Sequence, residues 1–444
     1  MASDELIVAL ATPPGRGAIA VVRASGPDVS VLMAGLLGRT LPSRTAVLAD
    51  FLAADGEAID QGLALYFPAP RSYTGEEMLE LQGHGGVAVA NRLLARCVEL
   101  GARPATPGEF TQRAFLNGKM DLAQAESVAD LIEATSAEAA RWALRSLRGD
   151  FSQTVKALAQ ELVEFRVLVE GSMDFPEEGI DFMGAARAEE RLGNLRHRLN
   201  RLHDSARQGA MLREGVRVVL AGRPNVGKSS LLNRLAEEEV AIVTEIPGTT
   251  RDLIRQHLQI NGIPLHVVDT AGLRMTRDPV EQAGIDRARA AIATADLVLQ
   301  VVDASAASVD RDAGEDLPAG LPRIRVENKL DLLGENPVAM IREGLPVVRL
   351  SAKTGAGLNL LKTAILQAVG WQAAGEGLFM ARARHLAALR QAAESLEAAA
   401  GQWGRLELVA EELSSAHRAL GRIVGEFTSD ALLGEIFSHF CIGK

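Results

Sequence analysis

The run VRVVLA at Val216–Ala221 passes directly into GRPNVGKSS, Gly222–Ser230. A short apolar, β-branched run reads as a buried strand, and the stretch after it fits G-x-x-x-x-G-K-[ST] in the strand-to-helix setting that this pattern needs. Gly222 and Gly227 allow a loop whose amides converge on phosphate oxygens, and the amino terminus of the following helix adds a favourable dipole. Asn225, Val226, Gly227, Lys228, Ser229 and Ser230 form the expected cradle. Within it Lys228 neutralises β/γ-phosphate charge and Ser229 ligates Mg²⁺.

The sequence on either side of this loop sets the fold class. LHVVD at Leu265–Asp269, LVLQVV at Leu297–Val302, IRV at Ile324–Val326 and PVVRL at Pro346–Leu350 alternate with helix-like segments. Residues 215–370 therefore read as an α/β domain with a mainly parallel sheet, binding its ligand at the carboxyl ends of the strands. The base is specified by NKLD, Asn328–Asp331, just after a strand. The Asp331 carboxylate can accept two hydrogen bonds from the guanine ring N–H and exocyclic amine, a donor pair that adenine lacks. Asn328 is expected to contact the purine and orient the loop, and Lys329 to lie along the ring. Ser351, Ala352 and Lys353 are expected to present amides to the guanine carbonyl.

DTAG places Asp269 where it can hold Mg²⁺ through water and Gly272 where its amide meets the γ-phosphate, with Thr270 and Ala271 between. In GTTRD, Thr249–Asp252, Thr250 is the expected second Mg²⁺ ligand. Leu273 stands where small GTPases carry a water-orienting glutamine, so that role must lie elsewhere. Glu281, in MTRDPVEQAG, is the acidic candidate taken from the switch-like region that follows.

The remaining sequence adds two further styles. Residues 1–118 mix short strand-like runs (LIVAL at Leu6–Leu10, AIAVVR at Ala18–Arg23, LALYF at Leu63–Phe67) with a helix near Gly86–Leu100. They read as an α+β domain, and Cys97 falls on the buried side of that helix with Val89 and Leu93. Leu144, Leu147, Phe151, Val155, Leu158, Leu162, Phe165 and Val169 step by three and four residues, as a helical seam does. Leu192, Leu195, Leu199 and Leu202 repeat the pattern, as do Leu386, Leu389, Ala393 and Leu396, then Leu406, Val409, Leu413, Ala416, Leu420 and Ile423. No such stripe can be buried alone, so 119–210 and 374–444 are expected to form one discontinuous bundle with 215–370 inserted, two separate bundles being the alternative.

Across 444 residues, 47% hydrophobic and 23% charged content is that of a globular chain. A net charge of −10 argues against an autonomous nucleic-acid binder with a broad cationic surface. Two cysteines, Cys97 and Cys441, exclude a disulfide scaffold and a cysteine zinc site. Asp4 and Glu5 stand where a signal peptide carries basic residues, and no apolar window is long enough for a membrane helix. The closing CIGK is a poor prenylation box. A cytoplasmic protein without membrane association is expected.

Longer strings carry a resemblance. VVRASGP (Val21–Pro27), EEMLELQGHGG (Glu76–Gly86), GEFTQRAFLNGKMDLAQAE (Gly108–Glu126), DFPEEGIDF (Asp174–Phe182) and GEFTSDALLGEIFSHFCIGK (Gly425–Lys444) resemble the MnmE (TrmE) family of bacterial tRNA modification GTPases. The resemblance implies a folate-binding, dimerising amino-terminal domain, a discontinuous helical domain and an inserted G domain. It implies activation by K⁺-dependent G-domain dimerisation. Asn225 would be a side-chain K⁺ ligand, with Thr244, Glu245, Ile246, Pro247, Gly248 and Thr249 in the loop around the ion. Glu281 falls on the family's water-positioning glutamate. A tetrahydrofolate derivative is assigned to Arg23, Glu80, Lys119 and Lys444; by their residue type alone, Arg23, Glu80 and Lys119 read as surface charges. The implied partners are a second copy in a homodimer, an FAD-dependent protein of the MnmG (GidA) type, and tRNA, whose wobble uridine receives an aminomethyl or carboxymethylaminomethyl group. From the residues alone, an RNA-binding ribosome-assembly GTPase and a non-catalytic GTP-dependent switch stay open.

Overall fold

A computed structural model describes residues 5–174, 187–238, 258–269, 295–306, 321–371 and 379–443. The chain divides into two compact units, one of Met1–Glu133, Ala143–Asn200 and Ala387–Lys444, the other of Ala134–Trp142 and Arg201–Leu386.

The first unit opens with strands β1 (Ile7–Leu10), β2 (Ile19–Gly26), β3 (Val47–Leu52), β4 (Ala58–Phe67), β5 (Glu77–His84) and β6 (Arg103–Pro104), in the order β3-β4-β5-β2-β1-β6. Every pairing is antiparallel except β1 with β6. Period-two alternation separates the faces. Val22, Ala24, Leu79 and Leu81 point into a core with α1 (Ser30–Leu37) and α2 (Val87–Glu99), joined by Leu32, Leu36, Leu93 and Cys97. Burial pushes the Cys97 thiol up to about 12, as suits a small core hydrophobe. The other face carries Ile7, Ala9, Arg23 and Glu80, with Arg23 opposite Ala9 and Glu80 in register.

Helices α3 (Glu109–Leu116) and α4 (Leu122–Glu133) follow. Gly108 starts α3 at φ 68, and a Cβ there would stand 2.8 Å from the Phe437 carbonyl oxygen. Glycine is thus required twice, by backbone conformation and by a close approach. At the first residue of α3, Glu109 accepts from Arg103, Arg113 and the Thr106 amide, while Arg113 also reaches Glu76. Burial alone would raise the Glu109 carboxyl; these donors outweigh it and hold it at about 2.

Helix α5 (Ala137–Leu147) ends before Gly149, which has φ 96, and α6 (Asp150–Asp174) starts afresh. This break corrects the first sequence seam. Leu144 is 38% exposed, whereas Phe151, Val155, Leu158, Leu162, Phe165 and Val169 are buried.

In the second unit, β7 (Val216–Ala221), β8 (Leu258–Ile260), β9 (Ile263–Asp269), β10 (Leu297–Asp303), β11 (Arg323–Asn328), β12 (Val338–Arg342) and β13 (Leu345–Arg349) form one sheet. Its order is β12-β13-β11-β10-β7-β9-β8. The central strands are parallel, and antiparallel β8 and β12 close the edges. Those two edge strands have no expectation in the sequence reading, since a three-residue strand and a mostly exposed one show little periodicity. Helix α7 (Ala188–Glu214) leads into β7, α8 (Lys228–Glu238) follows the glycine-rich loop, and α9 (Leu358–Ala368) follows the last strand. Leu361 and Ile365 of α9 join Ile324, Val326 and Val348 in the core.

Helices α10 (Ala383–Gly401), α11 (Leu406–Val424) and α12 (Asp430–Ser438) complete the chain. In the first unit α6 packs along α11, whose Val409, Leu413, Ala416, Leu420 and Ile423 are all buried. Each fully buried leucine of such a seam contributes about 1.5 to 3 kcal/mol. Among the described residues no helix is long and apolar enough to cross a membrane.

Candidate functional site

Three loops at the carboxyl ends of β7, β11 and β13 form the site. Gly222 (φ 152) and Gly227 (φ 95) have backbone conformations that disfavour side chains. A Cβ on Gly227 would stand 2.3 Å from Asn328 Nδ2, so glycine also admits the neighbouring motif. Asn225 is exposed at φ 64, Ser229 is exposed in the first turn of α8, and Ser230 beside it is exposed too. Lys228 is buried and its Nζ donates to the Gly222 and Arg223 carbonyls at 2.7 and 3.2 Å, curling the ammonium back over the loop.

Asn328 is the joint of the site. Buried, it donates from Nδ2 to the Val226 carbonyl at 2.9 Å and accepts at Oδ1 from the Ala352 amide at 2.9 Å. Both ends of its amide tie loop to loop, which is the orienting half of the role read from sequence. The Ala352 amide, expected to face a guanine carbonyl, is turned to Asn328. Asp331 accepts from the Ser351 hydroxyl at 2.5 Å, which fixes the carboxylate of NKLD against the SAK turn.

Lys329, at φ 67, pairs through Nζ with Asp303 Oδ2 at 2.7 Å. Burial would raise the Asp303 carboxyl, but Lys329 and Ser305 outweigh it and lower it. The sequence reading missed Asp303. Its signal is positional: Asp303 ends β10 and lies in register with Asn328 at the end of β11. Lys353 carries a second missed partner, because Arg234 of α8 donates through Nη2 to its carbonyl at 2.8 Å.

Asp269 closes β9 beside Leu220 of β7, so its backbone stands next to the phosphate loop. Its side chain lies outside the description, and so do Thr244, Glu245, Ile246, Pro247, Gly248, Thr249, Thr250, Thr270, Ala271, Gly272, Glu281 and Lys444.

On the first sheet, Arg23 donates from Nε to Glu80 Oε1 at 2.9 Å, with Nη2 at 2.8 Å from the same oxygen. Neither is the surface charge its residue type suggests, since their side chains are 23% and 14% exposed. The guanidinium also lies over the rings of Tyr73 at 5.6 Å and Phe110 at 5.9 Å. Tyr73 shares a 2.8 Å hydrogen bond with the buried Thr111 hydroxyl, and burial raises its phenol. Lys119 is exposed and donates to the Pro70 carbonyl at 2.9 Å, so the loop carrying Tyr73 also receives Lys119. Tyr73 and Thr111 gave no signal in the sequence, because nothing local marks a ring or hydroxyl that meets its partner only through the tertiary fold.

Comparison with known proteins agrees with this architecture. The model described as GTP-binding protein TrmE N-terminus matches residues 6–119, and the MnmE helical domain matches residues 122–441. A tRNA modification GTPase MnmE of Nitrosomonas europaea is 58% identical, covering 100% of both chains. The protein of that name from Ralstonia nicotianae is 56% identical over 99% of this chain and 96% of its own. An Azoarcus relative is also 56% identical, over 99% of this chain and 98% of its own. With one model spanning well over half of the chain and relatives this similar along its whole length, the chain belongs to the MnmE (TrmE) family, whose matched members are named tRNA modification GTPases.

Proposed function

We propose that the chain is a K⁺-stimulated GTPase acting with an FAD-dependent partner of the MnmG type. Together they form an aminomethyl or carboxymethylaminomethyl group on the wobble uridine of certain tRNAs, using a one-carbon unit from a tetrahydrofolate derivative. The observation that carries the GTPase reading is Asn328, locked between the phosphate loop and the SAK turn, with Asp331 held beside it by Ser351. A carboxylate held in place costs little reorganisation on meeting the two donors of guanine, and it discriminates against adenine by leaving an acceptor unpaired.

In this reading Lys228 leaves its loop carbonyls for the β/γ-phosphates, and Glu281 orients the attacking water. The donor set suits hard cations: the Ser229 hydroxyl for Mg²⁺ with Thr250 and Asp269, and the exposed Asn225 amide for K⁺ with Thr244, Ile246 and Thr249. The cations supply charge that offsets the developing negative charge on the phosphates. Arg23, Glu80, Lys119 and Lys444 hold the folate in a homodimeric amino-terminal domain, 1–118. Residues 119–210 with 374–444 make the helical domain and 215–370 the G domain of a cytoplasmic protein, in which hydrolysis drives G-domain opening and closing.

Hydrolysis rates in matched K⁺ and Na⁺ buffers test the cation, and equal rates overturn it. Lys228→Ala is expected to weaken GTP binding at least about 100-fold, the order expected when a phosphate-neutralising charge is removed from a partly buried site. Unaltered binding overturns the assignment of the loop.

A further inference from the structure

Arg234 lies in α8, the helix that begins at the phosphate-loop lysine, yet its guanidinium is spent on the other loop. Nη2 donates to the Lys353 carbonyl at 2.8 Å and Nε reaches toward the Ala352 carbonyl at 3.4 Å. Asn328 takes the Ala352 amide from the opposite direction, and the Ser351 hydroxyl accepts from the Thr354 amide at 3.3 Å. Two successive carbonyls and the flanking amides of the SAK turn are therefore each fixed by a named partner.

A trans peptide unit points its N–H away from its C=O. Holding the Ala352 oxygen toward α8 thus aims the Lys353 amide away from α8. We propose that Arg234 is a positioning residue for base recognition: by gripping the Ala352 and Lys353 carbonyls it sets the Lys353 amide as the donor for the 6-carbonyl of guanine. This rests on the guanine-site reading above and assigns the carbonyl donor within it. The planar fork of arginine suits the task, since one side chain serves two neighbouring oxygens.

The test uses the full chain and a pair of ligands with and without the 6-carbonyl. GDP carries the 6-carbonyl; the diphosphate of 2-aminopurine riboside keeps the 2-amino group but lacks both that oxygen and the N1 proton, so variant and wild type are compared on the same ligand, where the loss of the N1 proton cancels. Arg234→Ala is expected to weaken GDP about tenfold, in line with the loss of one oriented hydrogen bond, and to leave the 2-aminopurine ligand within about twofold. The GTP KM should rise with GDP affinity lost while kcat at saturation stays within about twofold. Arg234→Lys, which keeps one donor, should recover part of the loss and gives the same comparison should the alanine variant fold poorly. Equal weakening of both ligands, or no weakening of GDP, overturns the proposal. A wild-type chain that binds ADP as tightly as GDP overturns the guanine reading itself, a different result from either.

Discussion

The guanine end of the second sheet and the Arg23 site of the first are both built from charged groups, but they are assembled in opposite ways. At the guanine end, Asn328 and Asp331 come from one turn and Ser351 and Ala352 from another, at the ends of the adjacent parallel strands β11 and β13. On the first sheet, Arg23 comes from β2, Glu80 from β5, Tyr73 from a loop and Phe110 from α3. Parallel strands end together, so a short turn can supply several working groups. An antiparallel register brings single residues from distant places. The first arrangement writes a motif into the sequence, and the second leaves almost none.

The comparison can be broken at either end. The largest effect is expected from Asp331→Asn, which replaces an acceptor by a donor facing the guanine amine. The ratio of GTP to XTP affinity should fall by about a thousandfold or more, because the variant amide can now donate to the 2-carbonyl of xanthine. An unchanged ratio would show that the turn does not read the base.

On the first sheet, Glu109→Gln leaves Arg113 buried against a neutral amide. With the carboxyl held at about 2, against an ordinary 4.5, its bonds contribute roughly 3 kcal/mol above pH 4.5. That contribution is lost as pH falls from about 4.5 toward 2, so the variant should lag the wild type at neutral pH and approach it in acid. Denaturant titrations across this range check it, and a gap that stays constant with pH refutes the linkage.

A smaller change is expected from Arg23→Lys. An ammonium keeps the charge opposite Glu80 but has no planar face to set over the Tyr73 and Phe110 rings. Tetrahydrofolate binding, followed by equilibrium fluorescence, should weaken about tenfold, the worth of a well-oriented charge-assisted bond. Unaltered affinity would remove Arg23 from the proposed folate site. The smallest effect concerns Cys97, which should resist alkylation in the folded chain while exposed Cys441 reacts, as peptide mapping by mass spectrometry would show. Equal labelling would mean that α2 opens readily.

The same contrast explains what the sequence disclosed. The P-loop, NKLD and the parallel strands were legible because burial on both faces makes continuous apolar runs, and each loop carries its own glycines. The seams at α6 and α11 followed from their three- and four-residue steps. Leu144 misled because the step continues across Gly149, whose positive φ ends the alignment of faces. Asp303 and Arg234 were not legible, as an aspartate after a strand or an arginine on a helix looks like any solvated charge. The burial of Arg23 and Glu80 depended on cross-strand register, which no local pattern encodes.

The seat of α12 has a consequence for synthesis. Phe437 and Phe440 pack with Leu122 and Phe115, and the Gly108 amide donates to the Cys441 carbonyl at 3.4 Å, so a helix far along the chain covers residues made long before it. At about 5 to 20 residues per second, roughly 20 to 60 s separate the emergence of α3 from that of α12. Throughout that interval the nascent chain holds an apolar patch that α12 has yet to cover. A message cut short of α12 would yield a product marked by that patch, distinguishable to a chaperone or protease from a chain that carries α12.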